Sequence, residues 1–210
     1  MNILHIDCSP RRESHSRRLS AAVVEKLLTL LPDVTISRRD LGYEPIPHAG
    51  ADYAAVLATP KSLAAAGRDH DALRLAEQLI REVENSDVVV IGTPMNNFTV
   101  PSVLKAWIDQ ILRVGRTMKS TPAGKVGMLQ DRPVFVGIAS GGVFAGDGAN
   151  QPDFLTPYVS AALGCIGLNT VHYLRLQATA FLDETRASEV RRSLIATIEP
   201  AMASLVQSLV

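Results

Sequence analysis

Three short stretches carry the residue types that do chemistry in this chain. The first, Cys8 to Ser16, holds Ser9, Ser14, His15 and Ser16, with Arg11, Arg12, Arg17 and Arg18 crowded in and just beyond it. Hydroxyls at the start of a helix suit a phosphate, which unpaired N–H groups and the helix dipole hold. Cations in a first helical turn are ordinarily disfavoured by roughly 0.3 to 1 kcal/mol, and a bound anion reverses that sign. The second stretch, Thr93-Pro94-Met95-Asn96-Asn97-Phe98, offers amide groups beside two apolar side chains. The third runs from Ala139-Ser140-Gly141-Gly142 to Gly148, and adjacent glycines let a backbone approach a flat ligand with no Cβ in the way.

Each stretch follows a segment that reads as a strand. Asn2 to Asp7 is apolar at Ile3, Leu4 and Ile6; Val88 to Ile91 is an unbroken β-branched run ended by Gly92; Pro133 to Ile138 reads PVFVGI. Such runs suit strands covered on both faces in a parallel sheet. Val34 to Ser37 and Thr170 to Leu176 supply a second and a fifth strand, Arg38-Arg39-Asp40 closing the former.

Helices are expected between them. One carries Leu19, Val23, Leu27 and Leu30/Leu31, capped by Ser14 or Ser16. Others run from His70 to Glu84, over the Val103/Leu104, Trp107/Ile108, Ile111/Leu112 stripe after Pro101, from Phe154 to Cys165 with Leu155, Val159/Ser160 and Leu163 inward, and from Asp183 to about Val210, where Pro200 kinks or divides the last one. Gly42 to Gly67 is a long, poorly patterned stretch in which Ala51 to Ala58 or Pro60 to Ala66 is short helix, and Gly115 to Arg132 reads as an insertion, a small hairpin near the site's end of the sheet.

Five strands alternating with helices predict an α/β fold: a single flavodoxin-like domain over 1–210, a doubly wound five-stranded parallel sheet of order 2-1-3-4-5 with helices on both faces. In that order the first and third strands are neighbours, and the three loops meet at the carboxyl ends of the strands. A hydroxyl-rich phosphate site beside a flat slot edged with amides suits FMN. Backbone donors along the ring stabilise the charge that develops when it accepts a hydride.

These residues also carry a family resemblance. The chain resembles the FMN-dependent NADH:quinone oxidoreductases, also known as azoreductases, over nearly its full length. The likeness lies in the first strand with Ser9 and Ser14-His15-Ser16, in Pro94-Met95-Asn96-Asn97-Phe98, in Ser140-Gly141-Gly142, and in Leu155-Thr156-Pro157-Tyr158-Val159 leading to Leu163-Gly164-Cys165-Ile166-Gly167. The resemblance implies that Ser9 and Ser14 to Ser16 hold the phosphate and ribityl end, while Met95 to Phe98 and Ala139 to Gly142 border the ring. It implies tightly bound FMN, NADH or NADPH as donor, quinone and azo substrates reduced by ping-pong hydride transfer through flavin N5, and a homodimer whose partner completes the slot with 115–132 or 42–67. No side chain is required as acid, base or nucleophile. The chain departs from the family's frequent Met-Tyr-Asn-Phe at Asn96 and from its Ser-Arg-Gly-Gly at Ala139-Ser140, and its first loop is shorter and richer in arginine.

Composition narrows the alternatives. Lys plus Arg and Asp plus Glu are both 21, which gives no global pull toward nucleic acid or an anionic membrane. A flavin-binding electron carrier or regulatory module is the rival class, but carriers show strongly acidic surfaces, and this chain is neutral. Two cysteines form no disulfide framework, the chain opens on a strand without a signal peptide, and no apolar run reaches ~18 to 20 residues, so a cytoplasmic protein off the membrane is expected. Cys8 invites a phosphatase reading, but a Cys-x5-Arg cradle fails because Ser14 stands six residues on. Asp7 lacks the acidic neighbours of a receiver domain. The five histidines lack metal-ligand spacing, and only His15 is placed to touch a ligand; Trp107 reads as core.

Overall fold

The computed structural model describes residues 1–31, 33–59, 62, 63, 65, 67 and 70–208. In chain order its elements are β1 (Asn2–Asp7), α1 (His15–Leu30), β2 (Thr35–Asp40), α2 (Ala51–Leu57), α3 (Arg74–Glu84), β3 (Val88–Pro94), α4 (Ser102–Ile111), β4 (Met118–Thr121), β5 (Gly124–Gly127), β6 (Val134–Ala139), α5 (Thr156–Ile166), β7 (Val171–Leu176) and α6 (Glu184–Ser208). Short 3₁₀ turns occupy Asp71–Leu73 and Thr179–Phe181.

Five parallel strands form one sheet in the order β2-β1-β3-β6-β7. With the separate β4–β5 hairpin set aside, this is the expected 2-1-3-4-5 order. Side-chain alternation divides the core. Leu4, Ile6, Val89, Ile91, Val134 and Val136 pack with α3, α4 and α5 through Leu79, Ile80, Trp107, Ile108, Val159 and Leu163. Ile3, Val88, Val90, Phe135 and Leu174 face the other way, onto Leu19, Val23 and Leu27 of α1 and Ile198 and Met202 of α6. Burial on both faces is what a continuous β-branched run is for. The register pairs Asp7 with Gly92, Pro94 with Ala139, and Ala139 with Leu176, so the strands end at one level.

Several expectations change. β3 continues through Gly92 to Pro94; a Cβ at Gly92 would lie 2.5 Å from Ser20 Oγ and 2.7 Å from Asp7 Oδ1, so the glycine makes room for a buried polar pair and does not break the strand. β2 extends to Asp40 because its charged end is satisfied: Arg38 meets His5, Arg39 pairs with Glu82, and Asp40 with Arg17. Ser160 is exposed while Val159 is buried. α6 runs undivided through Pro200. The hairpin lies within 115–132, but its base is tied to the opposite end of the sheet from the loops. Arg116 binds Glu84 at the end of α3, and Leu129 N–H donates to Ile166 O at the end of α5. Ala51–Leu57 is helical as one expected alternative; most of Pro60 to Ala66, and the expected helix end at Val210, lie outside the described residues.

Candidate functional site

The site is built from the segments that leave the carboxyl ends of the strands. After β1, Ser14 occupies the N-cap position of α1 in extended conformation, yet its hydroxyl caps nothing. Ser14 Oγ instead lies 2.8 Å from the Oγ of fully buried Ser16. Neither serine satisfies the helix in the expected way, and the first-turn amides keep their capacity for an acceptor from outside the chain. Ser9 is buried, its Oγ accepting the Arg11 N–H at 3.3 Å.

After β3 the chain makes a tight reversal. Asn96 and Thr99 exchange N–H···O bonds of 3.0 Å in each direction, and Asn97 and Phe98 between them have φ of +48° and +71°. Positive φ at both central residues of a two-residue loop is the signature of a type I′ turn, normally the place of Asn-Gly. Phe98 is in a conformation that costs about 1–3 kcal/mol for a non-glycine residue. Its ring and that of Phe154 are exposed, and the Phe154 N–H bonds to Phe98 O.

After β6 the glycine-rich loop is held from several sides. Gln151 Nε2 donates to Ser140 Oγ at 2.9 Å and approaches Met95 Sδ at 3.2 Å, joining the second and third loops. Gln177 Oε1 accepts the N–H groups of Phe144 and Ala145 at 2.7 and 2.8 Å. The Gly141 and Gly142 amides have no partner among the described residues. A Cβ at Gly141 would meet only Ala180 Cβ, at 3.7 Å, whereas one at Gly142 would strike Gln151 Oε1 at 2.5 Å.

These segments enclose a cavity of about 360 Å³, within the ~300–1,000 Å³ typical of small-molecule sites. Ser14, His15, Met95, Asn96, Ala139 and Gly141 line it, joined by Arg11 and Pro94. Ser9, Ser16 and Ser140 are buried outside the lining, half-buried Gly142 follows Gly141 outside it, and exposed Asn97 and Phe98 follow Asn96 outside it. A fourth wall, Thr179 and Ala180, follows β7 and was not anticipated. Thr179 hooks onto the third loop through N–H and Oγ1, both bonded to Ser140 O, after Ala178 turns with φ +57°. Nothing in Gln177 to Phe181 resembles a turn signature; only its place after the fifth strand marks it.

The cavity lining includes one cation, Arg11, and no carboxylate. Burial foremost, then the guanidinium groups of Arg18, Arg191 and Arg11, outweigh Glu184 and hold the His15 imidazole below its ordinary pKa. Cys8 is fully buried, and desolvation pushes its thiol up, so it is no nucleophile. A larger hollow of about 780 Å³ lies at the amino ends of the strands, beside Asn2 and Thr35. Its charged lining, Asp71, Arg74, Arg81 and Glu82 among others, mixes both signs, and none of the three loops reaches it. Geometry and charge favour the smaller cavity.

A family described as having the flavodoxin-like fold matches residues 1–199. The chain is 45% identical to an FMN-dependent NADH:quinone oxidoreductase of Pseudomonas fluorescens, covering 87% of each protein. It is 43% identical to one of Burkholderia lata, covering 93% of this chain and 96% of the other. An FMN-dependent NADH-azoreductase of Bacillus anthracis, solved in complex with FMN, superposes with a TM-score of 0.77 at 25% identity, covering 98% of this chain and all of its own. Given this similarity along most of its length, the chain belongs to the family of FMN-dependent NADH:quinone oxidoreductases.

Proposed function

We propose that this protein binds FMN in the 360 Å³ cavity and uses it to pass electrons from NADH to quinones. One observation carries the reading. A single cavity is lined both by an arginine and the start of a helix with unpaired amides, and by Gly141 with its free N–H beside Asn96, which opens a turn with two left-handed residues. This lining suits a ligand with an anionic tail and a flat head.

The residues present fit the group. Ser14, His15 and Arg11 would hold the phosphate, Ser9 and Ser16 supporting them from behind. Met95 to Phe98 and Ala139 to Gly142 would border the ring, with the Gly141 and Gly142 amides as donors to its polar edge. Bound there, FMN would supply two-electron transfer between NADH and the acceptor. The chain orients the reactants and sets the electrostatics; no side chain is needed to move a proton. Azo compounds are a second acceptor class on this reading, and donor and acceptor would take turns in the cavity beside the flavin. The exposed rings of Phe98, two residues beyond Asn96 of the lining, and of Phe154, whose N–H bonds to Phe98 O, support a homodimer in which a second copy covers the cavity.

Two measurements test this. Purified protein should be yellow and release FMN, not FAD, on denaturation. It should oxidise NADH when a benzoquinone is supplied. A protein that retains flavin yet turns over negligibly would be an electron carrier; one that neither carries nor takes up flavin would sink the proposal.

A further inference from the structure

The arginines that crowd the first loop separate in the folded chain. Arg18 pairs with Glu13 and Glu184. Arg17 turns away from the cavity and is fully engaged elsewhere. Its Nε and Nη2 donate to the Ser9 carbonyl at 2.8 and 2.6 Å. Nη1 and Nη2 donate to the Asp40 carboxylate at 2.7 and 2.6 Å. Nη1 lies 3.6 Å from Asp7 Oδ2, and the guanidinium stacks on Tyr43, 4.4 Å from the ring centre. Gly42 is laid directly against this knot, since a Cβ there would lie 2.2 Å from Ser9 O and 2.9 Å from Arg17 Nη2.

The Ser9–Pro10 peptide has no N–H, so the carbonyl is its one hydrogen-bonding group. Turned toward a phosphate, that oxygen would repel it; gripped by Arg17, it faces into the protein. Ser9 Oγ meanwhile takes the N–H of Arg11, which lines the cavity, so the tie reaches the cavity wall through one residue. Only a planar fork spans a carbonyl and a carboxylate in this way; a lysine ammonium does not.

We propose that Arg17 is a positioning residue for phosphate recognition: anchored on Asp40, it fixes Ser9 so that the loop presents Arg11 and free N–H groups, not a carbonyl, to the phosphate of the flavin. The inference rests on the FMN reading above, and the experiment separates the two. Dissociation constants for FMN and for riboflavin, which lacks the phosphate, are measured by flavin fluorescence on full-length protein stripped of flavin, with the thermal midpoint recorded in parallel. Arg17→Gln should raise the FMN constant at least about tenfold and leave the riboflavin constant within about twofold. Arg17→Lys should recover only a minor part of that loss. Asp40→Asn, which leaves the Ser9 bonds in place, should cost FMN about threefold. Parallel weakening of both flavins, a fall in thermal midpoint with the FMN-to-riboflavin ratio unchanged, or wild-type FMN affinity in folded Arg17→Gln would each overturn the assignment. Should Arg17→Gln not fold, Asp40→Asn decides, and a wild-type ratio there overturns it. Wild-type protein that binds neither flavin would overturn the FMN reading instead.

Discussion

Phe98 sits in a backbone conformation that its side chain resists, two residues beyond Asn96 of the cavity lining. Phe98→Gly should relieve that strain and stabilise the protein by about 1 kcal/mol, measured by urea unfolding of flavin-free protein, while FMN affinity falls because the turn loses its fixed shape and its ring. A variant with lower stability would show that the positive φ carries no strain. Gly141 makes the opposite case. Its Cβ position is open, so Gly141→Trp should leave stability unchanged yet weaken FMN binding severalfold by placing an indole at the cavity wall. Unaltered affinity would move the ring elsewhere. Asn96 to Phe98 were legible as a polar loop at the carboxyl end of a strand. The type of turn was not, because phenylalanine stands where a glycine would have announced it.

Among the elements, α3 is bound to the segment after α4 by a cluster of charges. Glu77, nearly buried, meets Arg113 at 3.1 Å and Arg116 at 3.1 Å, and Arg116 also takes Glu84 at 2.6 Å. Glu77→Gln leaves the buried Arg113 guanidinium without its carboxylate, while Arg116 keeps Glu84, and should cost about 3 kcal/mol by denaturant unfolding. The Arg17–Asp40 tie responds to acid. Burial is the largest single effect and raises the Asp40 pKa, but the Arg17 hydrogen bond, the Tyr43 and Gly42 N–H groups and the Arg17 charge together outweigh it and hold the carboxyl below its ordinary range. A depressed native pKa gives stability that is present above the ordinary aspartate value, about pH 4, and is lost as the pH falls through the native one. Asp40→Asn should therefore flatten the acid limb of stability against pH, and an unchanged limb would show the tie to be energetically silent. Periodicity made the helices that cover the sheet readable. The hairpin's placement was not, since Arg116 and Glu77 stand 39 residues apart with no pattern linking them. β2 looked shorter than it is, because Arg38, Arg39 and Asp40 find partners only once the chain has folded.

For the whole molecule, β-branched runs marked strands buried on both faces, their alternation with helices predicted a doubly wound sheet of flavodoxin-like order, and that order brings three loops to one end of it. The fourth wall stayed hidden because Thr179 and Ala180 act through backbone position and not through side-chain type. If a second copy covers the cavity, light scattering should return twice the 22.6 kDa chain mass, and Phe154→Asp, which alters an exposed ring, should shift the protein toward monomer with weaker FMN retention. A monomeric wild type at working concentration would remove the covering copy from the account. The hollow at the far end of the sheet has a practical consequence for inhibitor discovery. Crystals soaked with a fragment library would collect hits there first, because it is roomy and open to solvent, and those hits would be bystanders. Position is the sorting criterion: compounds seated against Asn2 and Thr35 belong to that distant trench, and those displaced by FMN belong to the cavity lined by Ser14 and Gly141.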